Sequence, residues 1–164
     1  MIPDLARSAV RIARIRRHGI RIPIIAHSEA KRAGLDLAVL CAVLEQETGG
    51  GRNVFGHDPT IYRGAGTVTK KKYLAYRQAR GPKGRGGMQG VGPMQLTWYS
   101  YQDAADRIGG CWIPRYNVRV GATLLARSIR TYGLKRALWK YNGSKVYADE
   151  VMLRVRKWKR IIGT

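Results

Sequence analysis

The stretch Leu35-Asp36-Leu37-Ala38-Val39-Leu40-Cys41-Ala42-Val43-Leu44-Glu45-Gln46-Glu47-Thr48-Gly49-Gly50-Gly51 decides how the chain is read. Leu37, Leu40, Cys41 and Leu44 recur at three- and four-residue steps, the period of one face of an α-helix. The triple glycine ends that segment, because glycine accepts the left-handed backbone that closes a helix. A helix this apolar belongs in a core. Two carboxylates, Glu45 and Glu47, nevertheless stand in its last turn, where the negative end of the helix dipole disfavours an ionised acid. Dipole and burial both push a carboxyl pKa upward, toward what a proton donor needs. The residues one and two turns before Glu47 are Val43, Leu44 and Leu40, whereas those before Glu45 are the smaller Ala42, Cys41 and Ala38. Burial logic therefore leans to Glu47, while either glutamate also reads as a solvated surface acid.

Working outward, Pro23, Ile24, Ile25, Ala26 and Ala30 predict a short helix with proline in its first turn, breaking near Gly34. The Arg-rich start, residues 1–17, superficially suits a transit peptide or a membrane-surface helix. Leu5, Ala9 and Ile12 fall at helical spacing with Arg7, Arg11 and Arg14 mostly elsewhere, which favours a helix packed through that apolar stripe. From residue 52 to 90 the composition is glycine-rich and basic: a loop or small hairpin, apart from a helix over 69–80 capped by Thr69. Within it, residues 81–87 read as a mobile, solvated loop whose glycines match no phosphate-cradling spacing. Further helices are expected over 101–108, where Asp103 and Asp106 read as caps or salt-bridge partners, and over 117–132 before Gly133. Two more follow, over 134–141 and through Tyr147, Val151, Val155 and Trp158. The expected fold is mainly α, one domain over 1–164 without internal repeats, with N-terminal helices in 1–34. The tryptophans read as core or groove wall, Trp98 being the one to watch beside the 90–96 stretch.

A chain of 164 residues with 45% hydrophobic content buries a core without disulfide or metal staples. Thirty-one Lys and Arg against ten Asp and Glu leave a net charge of +21, which points to a polyanionic partner; nucleic acid and an anionic bacterial wall both fit. Cys41 and Cys111 read as small buried hydrophobes, with a disulfide as the alternative. His57 and Asp58 are adjacent, yet with three histidines and no further ligand at fitting spacing no metal site is expected. No apolar run approaches the roughly 20 residues of a membrane span, and the start lacks a secretory apolar stretch, so synthesis in the cytoplasm without a signal peptide is expected.

Glu47-Thr48-Gly49 closing a helix resembles the Glu-Ser-Gly signature of goose-type lysozymes and soluble lytic transglycosylases. Three further landmarks stand in that family's order. Gly90-Val91-Gly92-Pro93-Met94-Gln95-Leu96 is similar to its Gly-x-Gly-Leu-Met-Gln stretch, Asn117 to Leu125 to its Asn-x-x-x-Gly-x-x-x-Leu helix, and Tyr141-Asn142-Gly143 to its Tyr-Asn-x-Gly motif. The resemblance covers about residues 35–158. It departs in Thr48 for Ser, Pro93 for Leu, a basic insertion after the first motif and a shortened Tyr-Asn motif.

The resemblance implies a lysozyme-like domain, with the insertion beside an active-site cleft, that cleaves the β-1,4 bond between N-acetylmuramic acid and N-acetylglucosamine. Glu47 would protonate the glycosidic oxygen, Gln95 and Tyr141 would line the cleft, Asn142 would support its wall, and Met94 and Thr48 would lie at the substrate. An amide and a phenol suit sugar hydroxyls and acetamides; Gln95 as a turn amide and Tyr141 as a core phenol are the plainer alternatives. Hydrolysis calls for a second carboxylate, for which Asp58 is the candidate; Asp58 reads equally as a turn-former before Pro59. Transglycosylation needs no second acid, and the sequence leaves the two outcomes open. No cofactor is implied. The partner would be peptidoglycan glycan strands on an anionic wall, met by a monomer without obligate nucleic acid, as in phage endolysins or virion-associated lysins. The competing reading is an inactive basic protein that binds wall polymer or nucleic acid on the same scaffold.

Overall fold

The structure, a computed structural model, describes residues 2–56 and 64–164. Eight helices follow one another among them: α1 (Ile2–Arg17), α2 (Pro23–Ala33), α3 (Leu37–Thr48), α4 (Lys70–Arg80), α5 (Tyr99–Arg107), α6 (Pro114–Tyr132), α7 (Leu134–Asn142) and α8 (Lys145–Ile162). The fold is mainly α, as the periodicity predicts. None of these helices is long and apolar enough to cross a membrane.

α3 organises the rest. The Asp36 carboxylate accepts the Ala38 N–H at 2.8 Å and starts the helix. At the other end Gly49 is left-handed, its N–H reaching Glu45 O, while the Gly50 N–H reaches Leu44 O. Gly50 does more than stop a helix: a Cβ there would lie 2.1 Å from Gly19 O, so its absence lets the α1–α2 connection close on α3, where the Arg21 N–H donates to Gly50 O. Every residue from Ala38 to Leu44 is buried, not only the predicted stripe. The helix is apolar all round because it is packed all round, against α2 on one side and most extensively α8 on another. Each large aliphatic side chain buried there contributes about 1.5–3 kcal/mol.

α6 and α7 complete the bundle against α2 and α8. α6 begins three residues earlier than its apolar pattern shows, because Pro114 supplies the fixed backbone of a first turn without an apolar side chain to announce it. Between α3 and α5 the described backbone forms no strand, only isolated antiparallel bridges Val54–Thr67, Phe55–Val91 and Val91–Leu96. α4 packs beneath this bridged loop through Tyr73 and Tyr76, which meet Trp112 and Phe55 edge-on or tilted. The 81–87 segment is anchored at its root, since the Gly86 N–H donates to Arg80 O and Arg80 is itself buried on Gln102 and Asp103. Asp103 and Asp106 are the expected partners of cations, Arg80 at 2.8 Å and Arg77 at 3.5 Å. Cys41 and Cys111 are both free and buried, the hydrophobe reading of the two thiols.

α1 departs from expectation. Its packed side is Ile15, with Ser8 and Ile12 half-buried, whereas Leu5 and Ala9 of the predicted packing stripe are exposed. The predicted stripe therefore divides, Ile12 turning inward beside Ile15 while Leu5 and Ala9 face solvent.

Candidate active site

The C-terminal end of α3 opens into a cleft of about 700 Å3, within the roughly 300–1,000 Å3 typical of ligand sites. Glu47 forms its base. Gly56, the 88–90 backbone and the turn through Gln95 form one wall, continued by Trp98 and Tyr101 at the start of α5. Leu124, Leu125 and Ser128 of α6 face them, together with Ala137, Lys140, Tyr141 and Asn142 of α7.

α8 separates the two glutamates of α3 chemically. Glu45 receives Lys157 Nζ at 2.5 Å, Trp158 Nε1 at 2.8 Å and Arg154 at 3.2 Å. Burial acts to raise its pKa, but the hydrogen bonds from Lys157 and Trp158 and the charges of Lys157 and Arg154 outweigh it and hold the carboxyl below its ordinary value. Glu47 meets a neutral phenol: Tyr147 Oη donates to Glu47 Oε1 at 2.6 Å. Burial pushes Glu47 upward, and the Tyr147 hydrogen bond, which favours the ionised form, offsets that only in part. Among the described residues lining the cleft, Glu47 is the one carboxylate. Of two acids two residues apart, one is fixed as an anion and the other is poised to carry a proton.

The turn carrying Gln95 is held from three helices at once. Val91 and Leu96 exchange both backbone hydrogen bonds at 3.1 Å, closing a Gly92–Gln95 turn. From α3, Thr48 Oγ1 donates to Pro93 O at 2.9 Å. From α6, Asn117 accepts the Met94 N–H at 3.0 Å and donates to Val91 O at 2.8 Å. From α7, Tyr141 Oη donates to Met94 O at 2.6 Å. Burial, with the Glu47 carboxylate nearby, holds that phenol well above its ordinary value, so it stays a donor. Gly92 must lack a side chain, as it has φ +76° and a Cβ would meet Asn117 at 2.4 Å. Gly121 likewise leaves the space in which Met94 sits, 2.8 Å from where its Cβ would be.

Gln95, Tyr141 and Asn142 therefore lie on the cleft as expected, but two of them are also framework. Gln95 has a left-handed backbone, φ 51°, unusual for a side-chain-bearing residue and concentrated at functional sites. Its Nε2 donates to Val54 O and Gly92 O, each at 3.0 Å, leaving the carbonyl oxygen toward Gly56 and Gly90. Met94 and Thr48 are corrected: both are buried beneath the cleft and absent from its lining, Met94 filling the space above Gly121 and Thr48 tying α3 to the turn. Each is adjacent in sequence to a lining residue, and the turn and the helix end point neighbours in opposite directions. Asp58, like His57, lies outside the described residues.

Sequence reasoning missed Tyr147, Lys140, Ser128, Tyr101 and Gln89. Tyr147 was legible only as part of an apolar stripe, though a phenol on such a stripe needs a partner for its hydroxyl. Gln89 is buried and ties together the ends of the segment after Gly56: its Nε2 donates to Gly56 O and to Gly64 O, and its Oε1 accepts the Gly64 N–H at 3.0 Å. Comparison with protein-family models, curated protein sequences and solved structures finds no match for this chain.

Proposed function

We propose that this protein is a peptidoglycan-cleaving glycosidase with a lysozyme-like catalytic domain, in which Glu47 is the general acid. The observation that carries the reading is Glu47 itself: a half-buried carboxylate in a cleft, pushed toward its protonated form and held by a phenol rather than a cation. The four stretches that resemble the goose-type lysozyme and lytic transglycosylase family lend support, because Thr48, Pro93-Met94, Asn117 and Tyr141 meet at one turn beside that acid. A hydroxyl at position 48 serves that contact, so Thr for Ser is a conservative departure.

In this reading Glu47 gives its proton to the oxygen between N-acetylmuramic acid and N-acetylglucosamine as the C1–O bond breaks and positive charge develops at C1. The Glu47 carboxylate then takes a proton from the group that attacks C1. A water yields a reducing sugar; the substrate's own C6 hydroxyl yields a 1,6-anhydro sugar and needs no second acid. Trp98 and Tyr101, both well exposed in the cleft, offer apolar faces to sugar rings, and Asn142, Ser128 and Lys140 offer hydrogen bonds. The basic surface would concentrate the protein on an anionic bacterial wall, consistent with a lytic role such as that of a phage endolysin or virion-associated lysin.

Mass spectrometry of products from purified peptidoglycan tests this directly. Muropeptides with reducing or 1,6-anhydro ends are expected, and Glu47→Gln should abolish them while leaving wall binding intact. Release of peptides alone, or equal activity in the variant, would sink the assignment. Binding without cleavage by the wild type would favour the inactive basic scaffold. If the products are reducing sugars, Asp58→Asn should reduce turnover; anhydro products predict that it does not.

A further inference from the structure

The first helix buries little of its surface. Sixteen residues rise about 24 Å, yet from Asp4 onward Ile15 alone is buried, with Ser8 and Ile12 half-buried. At helical spacing these three lie on the side that meets α2 and α8. A second side carries Leu5, Ala6, Ala9, Val10 and Ala13, all exposed, Leu5 to 72% and Val10 to 49%. Arginines border it: Arg7 lies past its Val10 edge, and Arg16 and Arg17 flank its C-terminal end, while Arg11 lies on the opposite side, beside His27 of α2. Asp4 is the acid of the helix and is paired with Lys31 at 3.5 Å. The field around it is positive, for His27 is held below its ordinary pKa by burial and then by the charges of Arg11 and Lys31.

Scattered surface apolar residues need no explanation, but a continuous row on one helix face bordered by arginines does. A second copy of the chain is a poor occupant, since each copy carries a net charge of +21 and would bring the same arginines to the contact. A polyanionic polymer would use the arginines and leave the apolar row in water. An anionic bilayer surface uses both: the apolar row enters the boundary between headgroups and acyl chains while arginine stems reach back to lipid phosphates.

We infer that the exposed face of α1 is a docking surface for anionic lipid bilayers, lying in the membrane interface through Leu5, Ala6, Ala9, Val10 and Ala13 with Arg7, Arg16 and Arg17 on phosphate headgroups. The inference is independent of the glycosidase reading, and it would give the protein a second surface, away from the cleft, for the membrane beneath a bacterial wall.

Co-sedimentation with vesicles tests it, using phosphatidylcholine alone and phosphatidylcholine mixed with phosphatidylglycerol. The wild type should pellet with the mixed vesicles and not with phosphatidylcholine alone. The neutral double variant Leu5→Gln/Val10→Gln, which changes no charge and no buried side chain, should lose at least about tenfold in affinity. Arg16→Gln/Arg17→Gln should lose about thirtyfold, at about 1 kcal/mol per cation. Both variants should keep the thermal stability of the wild type and digest lipid-free peptidoglycan as it does, if it does. Unchanged pelleting of Leu5→Gln/Val10→Gln would overturn the proposal in favour of charge attraction alone. So would absence of pelleting by the wild type, or self-association in analytical ultracentrifugation that this variant abolishes.

Discussion

Glu45 and Glu47 differ by what α8 brings to each. Three donors, two of them cationic, keep Glu45 ionised, and one phenol leaves Glu47 free to hold a proton. The Glu47 arrangement is costly to the folded state at neutral pH. A carboxyl whose folded pKa is raised above its unfolded value is fully compatible with folding below the unfolded pKa, and stability is lost as pH rises through the folded one. Glu47→Gln is therefore expected to abolish glycan cleavage and to raise Tm, more at pH 7 than at pH 4, each kcal/mol reading as about 2–4 °C in a chain of this size. Calorimetry at the two pH values checks this; an equal shift at both would mean that ionisation of Glu47 carries no folding cost. Tyr147→Phe removes the one hydrogen bond that favours the ionised form. If Glu47 is the general acid proposed above, the alkaline limb of the pH–rate profile should move to higher pH, because the carboxyl then keeps its proton longer, while kcat falls through its looser placement. A merely structural role for Tyr147 would lower activity at every pH without moving the limb.

At the level of elements, the 91–96 turn is where helices α3, α6 and α7 are pinned to one another. Asn117 is its buried hub, meeting a donor and an acceptor of the turn with one amide. Asn117→Asp keeps the shape but removes the donor to Val91 O and buries a charge, so destabilisation of about 2–4 kcal/mol is expected. Chemical denaturation measures it, and a change under about 0.5 kcal/mol would show that the turn does not depend on this contact. The helices were legible in the sequence wherever period and punctuation coincide: Thr69 does cap α4, and Gly34, Gly49 and Gly133 do end α2, α3 and α6. Periodicity names an apolar face without saying what covers it, which is why Leu5 and Ala9 were assigned to packing and are exposed. For the same reason Met94 was placed at the substrate. A motif marks the turn, but only the three-dimensional path of the turn decides that Gln95 faces the cleft and Met94 lies beneath it. Tyr147 was hidden more deeply, because one hundred residues separate it from Glu47 and no local pattern joins them.

Over the whole molecule the charge excess is not an even coat. Asp4, Glu29, Asp36, Glu45, Asp103, Asp106 and Asp149 each hold a cation within 4 Å, so the acids are consumed locally and the surplus Lys and Arg set the field. Glu47 stands apart inside that field, its partner a phenol and, among the described residues lining its cleft, Lys140 the one cation. On the proposed function, a positive potential at the site would attract an anionic wall from a distance but contribute little once the glycan is seated, since the bond to be broken is uncharged. Encounter and chemistry should separate with salt. Raising ionic strength from about 0.02 to about 0.2 M shortens the screening length from roughly 20 to roughly 7 Å and should lower kcat/KM on whole walls by about tenfold with kcat nearly unchanged. A soluble uncharged glycan oligomer should show no such dependence, because it has no charge for the field to act on. Equal salt sensitivity for both substrates would locate the effect in the protein's own folding or cleft geometry, and the +21 charge would then have no part in finding the wall.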